Sequence, residues 1–189
     1  MPQGNTSQPE LALAFGTWED TQSFLGSQLR SYSGADPIDQ AGIRRRLEVL
    51  EWDCPLHYDH GLAQEVGHPS PPSPVTMLKT WAMPAYWCPG DPRFASAGKA
   101  VLPTYSYLDI PAPGCGIFAT NIKTTYHADL YEGDTVTARP CLKSITRKTT
   151  SVGEGAFLVI ETEYVNQHGD VVAVEEFTVF RFQPTASDA

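Results

Sequence analysis

Four runs in the last third of the chain, residues 117–130, 134–149, 155–167 and 171–182, are rich in Val, Thr, Ile, Tyr and Phe, the residue types that suit a pleated, half-buried surface. Short polar turns separate them: Glu132-Gly133-Asp134, Gly153-Glu154-Gly155 and His168-Gly169-Asp170. Strands joined by so few residues pair antiparallel, because a parallel pair needs a crossover of about a dozen residues or more. The expectation is a four-stranded meander. Such a sheet must cover one face, and an apolar segment stands ready upstream. Pro71, Pro72, Ser73 and Pro74 precede Val75-Thr76-Met77-Leu78-Lys79-Thr80-Trp81, as prolines and a serine do at a helix N-terminus. That helix is apolar around most of its circumference, and Pro84 and Pro89-Gly90 close it. The fold class read from this pattern is α+β, with the sheet wrapped around a central apolar helix.

The rest of the chain divides more loosely. Residues 1–14 read as a flexible leader, 15–183 as one domain and 184–189 as a tail. Thr17 is placed to cap a helix over 18–25, with Gly26 to stop it. Asp39 precedes a segment in which Ile43, Leu47 and Leu50 share a helical face, with Arg44, Arg45 and Arg46 on its solvated flank. Pro55 interrupts the next stretch, and a short helix over 61–66 ends at Gly67. Residues 88–115 carry many prolines and glycines and read as a long excursion.

Composition removes several classes of function. With 22 acidic and 13 basic residues in 189, the formal charge is −9, which opposes the phosphate neutralisation that nucleic-acid binding requires. No stretch approaches the ~20 consecutive apolar residues of a spanning helix, so no membrane partner is expected. Residues 1–10 lack the charge and apolar run of a secretory signal; the expected location is cytoplasmic. There the four cysteines, Cys54, Cys88, Cys115 and Cys141, are free thiols. None of them, nor His60, His68, His127 or His168, has metal-ligand spacing, so no metal is expected.

A family resemblance rests on particular motifs. Pro55-Leu56-His57-Tyr58-Asp59 followed by Ala63 is similar to the P-x-H-x-D-x-x-x-A part of the MaoC-like hydratase signature. Tyr131-Glu132-Gly133-Asp134, Lys143-Ser144-Ile145-Thr146-Arg147-Lys148 and Tyr164-Val165-Asn166-Gln167-His168-Gly169-Asp170 resemble the N-terminal dehydratase domain of the same superfamily, as does the proline-rich approach to the helix. The resemblance spans about residues 18–182. It implies a hot-dog fold and reversible hydration of an enoyl thioester, usually on coenzyme A. Coenzyme A would then be part of the substrate, with no separate cofactor. In that chemistry a carboxylate takes a proton from water while a His orients the water and assists delivery to the α-carbon. Backbone N–H groups at the helix N-terminus stabilise the thioester oxygen.

The match is incomplete at the carboxylate. In the D-x-N-P-x-H form of the signature, the Asp and Asn positions are Trp52 and Cys54 here. Asp53 is one residue out of register, and in an extended segment one residue reverses the side-chain direction. Two arrangements stay open: His57 and Asp53 act together in this chain, or a homologous hot-dog partner carries the intact dyad. A homo- or hetero-oligomer is expected either way. A non-catalytic acyl-CoA-binding or scaffold protein is the alternative from another class. A thioesterase is disfavoured, because residues 75–87 offer no Asp or Glu to activate water.

Each candidate also has a purely structural role open to it. His57 could bond a loop carbonyl, Asp53 could be solvated or cap a helix, and Cys54 reads as a small buried residue. Trp52, Val75 and Trp81, with Met77, Tyr86 and Trp87, could line an acyl tunnel or an oligomer contact. Arg139, Lys143 and Arg147, four residues apart, should share one strand face. They form, with Lys148, a basic stretch free of acidic residues. That face could meet the phosphates of coenzyme A or simply face solvent.

Overall fold

The computed structural model describes residues 13–85, 87–90 and 105–185. Most of the expected leader, Tyr86, much of the 88–115 excursion and most of the tail lie outside these. The helices are α1 (Trp18–Ser23), α2 (Gln40–Leu50), α3 (His60–Glu65) and α4 (Leu78–Trp81). The strands are β1 (Tyr32–Ser33), β2 (Gly116–Tyr126), β3 (Thr137–Thr150), β4 (Gly153–Val165) and β5 (Val171–Pro184). Together they form a curled antiparallel sheet in the order β1-β3-β4-β5-β2, an α+β hot-dog arrangement. Among the described residues, no helix is long and apolar enough to cross a membrane, and no cluster of His, Cys, Asp and Glu could hold a metal ion.

Only three of the four expected strands form the meander. β3, β4 and β5 pair in sequence, but β2 pairs with β5, from Gly116 opposite Phe182 to Tyr126 opposite Ala173. The Glu132-Gly133-Asp134 turn therefore does not close a hairpin. Gly133 N–H instead donates to the Ile38 carbonyl and Ile38 N–H to that of Asp134, so residues 127–136 cross the end of the sheet to its other edge. The β3–β4 turn also moves. Gly153 and Gly155 belong to β4 and the turn is at Ser151-Val152. The remaining turn holds as expected: Asn166 Oδ1 accepts from His168 and Asp170 N–H, at 2.9 and 3.0 Å.

Helix starts are legible from their caps. Thr17 and Asp20 form a reciprocal capping box on α1, and the backbone and hydroxyl donors of Thr17 hold the Asp20 carboxyl below its ordinary range. Asp39 caps α2 and Asp59 caps α3, whose Leu62 N–H it receives at 3.1 Å. On α2, Ile43 and Leu47 are buried, but Leu50 is half exposed and leaves the expected apolar face.

The central helix differs most from expectation. The apolar run gives a 3₁₀ turn, Val75–Met77, and then the single turn of α4. Pro84 disfavours helical backbone at Met83, and the Met83 carbonyl accepts from Ala35 N–H at 3.0 Å instead. The 33–36 segment crosses this helix end so closely that a Cβ on Gly34 would stand 1.9 Å from the Trp81 carbonyl oxygen. Gly34→Ala is therefore expected to lower stability by about 1–3 kcal/mol, read as a reduced midpoint in urea unfolding.

Two apolar clusters fill the covered face of the sheet. One joins Ile43 and Leu47 of α2 to Leu78 and Trp81 of α4, Val136 and Tyr164. The other joins Leu142, Leu158, Ile160 and Val179 of the sheet to Trp18 and Phe24. Where the two charged ends of β5 face inward, Glu175 and Arg181 are buried.

Candidate functional site

α2 ends at Glu51, which adopts a left-handed conformation with φ of 50°. This turns the chain sharply, and Trp52–Cys54 run back into a 3₁₀ turn over Pro55–His57. A groove of about 730 Å³ opens between α2 and this loop, lined among others by Arg44, Leu47, Trp52, Asp53, His57 and Tyr58. The structure thus brings Trp52, Asp53 and His57 to one place.

Within the groove the two expected catalytic groups have separate partners. His57 is only 7% exposed, and its Nδ1 lies 2.8 Å from the Pro72 carbonyl. A carbonyl only accepts, so Nδ1 carries a proton and donates to it. Trp52 packs against the imidazole edge-on, with ring centroids 5.0 Å apart. Asp53 is exposed, and its carboxylate accepts from the Tyr58 hydroxyl. That bond to Asp53 raises the Tyr58 pKa, so the phenol stays a donor. Among the described residues no hydrogen bond joins Asp53 to His57. Cys54, at the Asn position of the signature, is extended and half-buried.

The remaining candidates lie apart from this groove. Trp81 is buried in the core, donating its indole N–H to Ser73 Oγ at 2.7 Å. Val75 is exposed beside a crevice of about 10 Å³ shared with Leu78 and Tyr126. Arg139, Lys143 and Arg147 do not share a face. A bulge between Leu142 and Ser144 resets the register, so Arg139 stands opposite Glu163 and Arg147 opposite Ala156, on the covered side. Two of the basic side chains, Lys143 and Arg147, are also paired with carboxylates. Lys143 Nζ bonds Glu161 and Glu176, which hold its ammonium well above the usual lysine range, while Arg147 bonds Glu154 and lies over the Trp18 ring.

Three features were not singled out from sequence: Tyr58 as the partner of Asp53, and the buried Glu175 and Arg181. β5 held a signal for the last two. Ala173, Glu175, Phe177, Val179 and Arg181 alternate at the spacing of one strand face, which places two charges on an apolar side.

Comparison with known proteins extends this picture. Residues 24–175 match the family described as the FAS1-like, dehydratase domain region. A probable enoyl-CoA hydratase alpha subunit of Thermomonospora curvata is 27% identical over 169 residues, which is 88% of this chain and 52% of that protein. The 3-oxo-4,17-pregnadiene-20-carboxyl-CoA hydratase alpha subunit of Mycobacterium tuberculosis is 30% identical over 154 residues, or 80% and 47%. The chain thus spans about half the length of the curated relatives it matches. In fold it is similar to a chain of the ChsH1-ChsH2 complex from Mycobacterium tuberculosis, with a TM-score of 0.67 at 24% identity, covering 90% of this chain and 98% of that one. It is also similar to a MaoC-like dehydratase from Rhodospirillum rubrum, with a TM-score of 0.56 at 18% identity and coverage of 85% and 94%.

Proposed function

The chain belongs to the FAS1-like dehydratase domain region family, of the MaoC-like hot-dog kind, and from that premise we propose that it is one subunit of an enoyl-CoA hydratase whose homologous hot-dog partner carries the intact Asp/His dyad. One observation carries this reading. Asp53 and His57 line the same groove, but the carboxylate is engaged by Tyr58 and the imidazole by Pro72. The names of the two curated relatives, each an alpha subunit, agree with a multi-subunit hydratase.

The reaction adds water across the α,β double bond of an acyl-CoA. The partner's carboxylate takes a proton from water, the oxygen adds to the β-carbon, and the α-carbon receives a proton. Coenzyme A enters as part of the substrate, and no other cofactor takes part. The setting is cytoplasmic. The partner docks on β2, one of the two terminal strands of the described sheet, which exposes Phe118, Ile122 and Tyr126. An edge strand of 11 residues with exposed apolar side chains is a ready surface for another chain.

A second reading has its own support: His57 bonds the Pro72 carbonyl through Nδ1, which leaves Nε2 for a groove that also holds Asp53, an arrangement fit for catalysis by this chain. Point variants in the assembled enzyme separate the two. Under the proposed reading, Asp53→Asn and His57→Ala each change kcat for crotonyl-CoA hydration by less than about threefold. Under the second, loss of a positioned acid–base group costs about 10²-fold or more.

A further inference from the structure

A second cavity, of about 210 Å³, lies between the covered face of the sheet and the segments that carry Lys79 and Tyr105–Tyr107. It shares no lining residue with the Asp53–His57 groove. We propose that this cavity binds a mostly apolar, single-ring-sized group bearing a hydroxyl or ketone oxygen, which the Glu175–Lys79 pair recognises. The inference goes beyond the hydratase reading and does not depend on it.

The size sets one limit. At roughly 30 Å³ for one water in the liquid, the space equals about seven waters, enough for one ring and a substituent. Its walls set another. Met83, Pro140, Ile160 and Phe177 provide apolar surface, which favours a carbon skeleton over a sugar or phosphate. Set into that surface is Glu175, only 4% exposed. Its Oε1 lies 2.9 Å from Lys79 Nζ, and Oε2 accepts from Thr124 at a long 3.3 Å.

A carboxylate has about four acceptor sites, and these two partners leave capacity facing the cavity. Lys79 is half exposed, with its ammonium 5.6 Å from the centre of the Phe177 ring, so donor and acceptor stand together at the rim of an apolar space. Tyr32 and Tyr107 add hydroxyls that remain protonated. Burial pushes the Tyr107 phenol up to about 12, and burial also raises Tyr32, whose hydroxyl pairs with that of Tyr164. A buried carboxylate carries a desolvation cost that an apolar side chain of similar volume avoids, so packing alone gives no reason for Glu175. A ligand oxygen that accepts from Lys79, or donates to Glu175, gives one.

The test uses the full chain and two probes of matched size, phenol and toluene, titrated by amide chemical shifts. Phenol is expected to bind at least about tenfold more tightly, because a site built to bond a hydroxyl penalises the analogue without it. Its largest shifts should fall in β5, α4 and residues 105–107. The double variant Lys79→Met/Glu175→Leu removes both charges together and should bring the two affinities within about twofold. Equal affinities in the native protein, shifts located elsewhere, or a preference that survives the double variant would each overturn the assignment. Turnover of crotonyl-CoA by the paired subunits reads the hydratase proposal separately, so either idea can fail alone.

Discussion

Arg181→Met is expected to lower stability by about 3 kcal/mol or more. The side chain is 1% exposed in β5, and the bonds it makes among the described residues go to backbone carbonyls. Nε donates to Gly114 at 2.8 Å, and an Nη donates to Ala14 at 2.9 Å and Ala112 at 3.4 Å. Its guanidinium also lies 5.5 Å from the Phe15 ring. Burial lowers its pKa from the ordinary value. One residue thus ties the start of the described chain and the 112–114 loop to the sheet.

Methionine fills similar space but takes the Arg181 donor from the Gly114 and Ala14 carbonyls, while Ala112 keeps a bond from Gly16 N–H at 3.4 Å. Each orphaned buried acceptor costs about 1–3 kcal/mol, with partial relief as water enters. Gly114 cannot yield easily: its φ is +90°, and a Cβ there would stand 2.3 Å from the Phe182 carbonyl oxygen. Arg181→Lys should recover less than half of the loss, since an ammonium lacks the planar fork that reaches several carbonyls at once. Urea unfolding followed by circular dichroism measures both variants. A loss below about 1 kcal/mol for Arg181→Met would show that the clamp is not what fastens these segments.

The sheet was readable because its residue types and turns repeat a local rule. The pairing of β2 was not, because nothing in 127–136 announces that Gly133 and Asp134 bond Ile38 rather than each other's strands. The same limit governs α4. Its apolar residues and proline-serine start were visible, while its length depends on a contact with Gly34, some 45 residues upstream. The caps at Thr17 and Asp39 were legible since each bonds within three residues, whereas Asp59 was read only as part of the family motif although it bonds Leu62 at the same spacing.

At the site, the offset of Asp53 could be read from the motif, but its capture by Tyr58 could not. Both residues are near in sequence, yet their meeting depends on the left-handed turn at Glu51 and the 3₁₀ turn that follows. The basic stretch misled for a physical reason. Spacing by four residues keeps one face only while a strand stays regular, and a single bulge beside Lys143 sends Arg147 to the other side. Its charges also find acidic partners on β4 and β5 that linear distance conceals.

Assembly is expected to have the largest effect on activity. A hydration site needs its carboxylate and imidazole on one water, and misplacement by about 1 Å can cost 10²-fold. Asp53 is held by Tyr58 and His57 by the Pro72 carbonyl, and on that separation rests the proposal that a partner supplies the working pair. The direct measurement is hydration of crotonyl-CoA by the purified chain, by a homologous hot-dog subunit that has an intact dyad, and by the two together. No turnover above background is expected for this chain and at least about a hundredfold more for the pair, abolished when the partner's aspartate is replaced by Asn. Full turnover by this chain alone, lost in His57→Ala, would contradict the proposal.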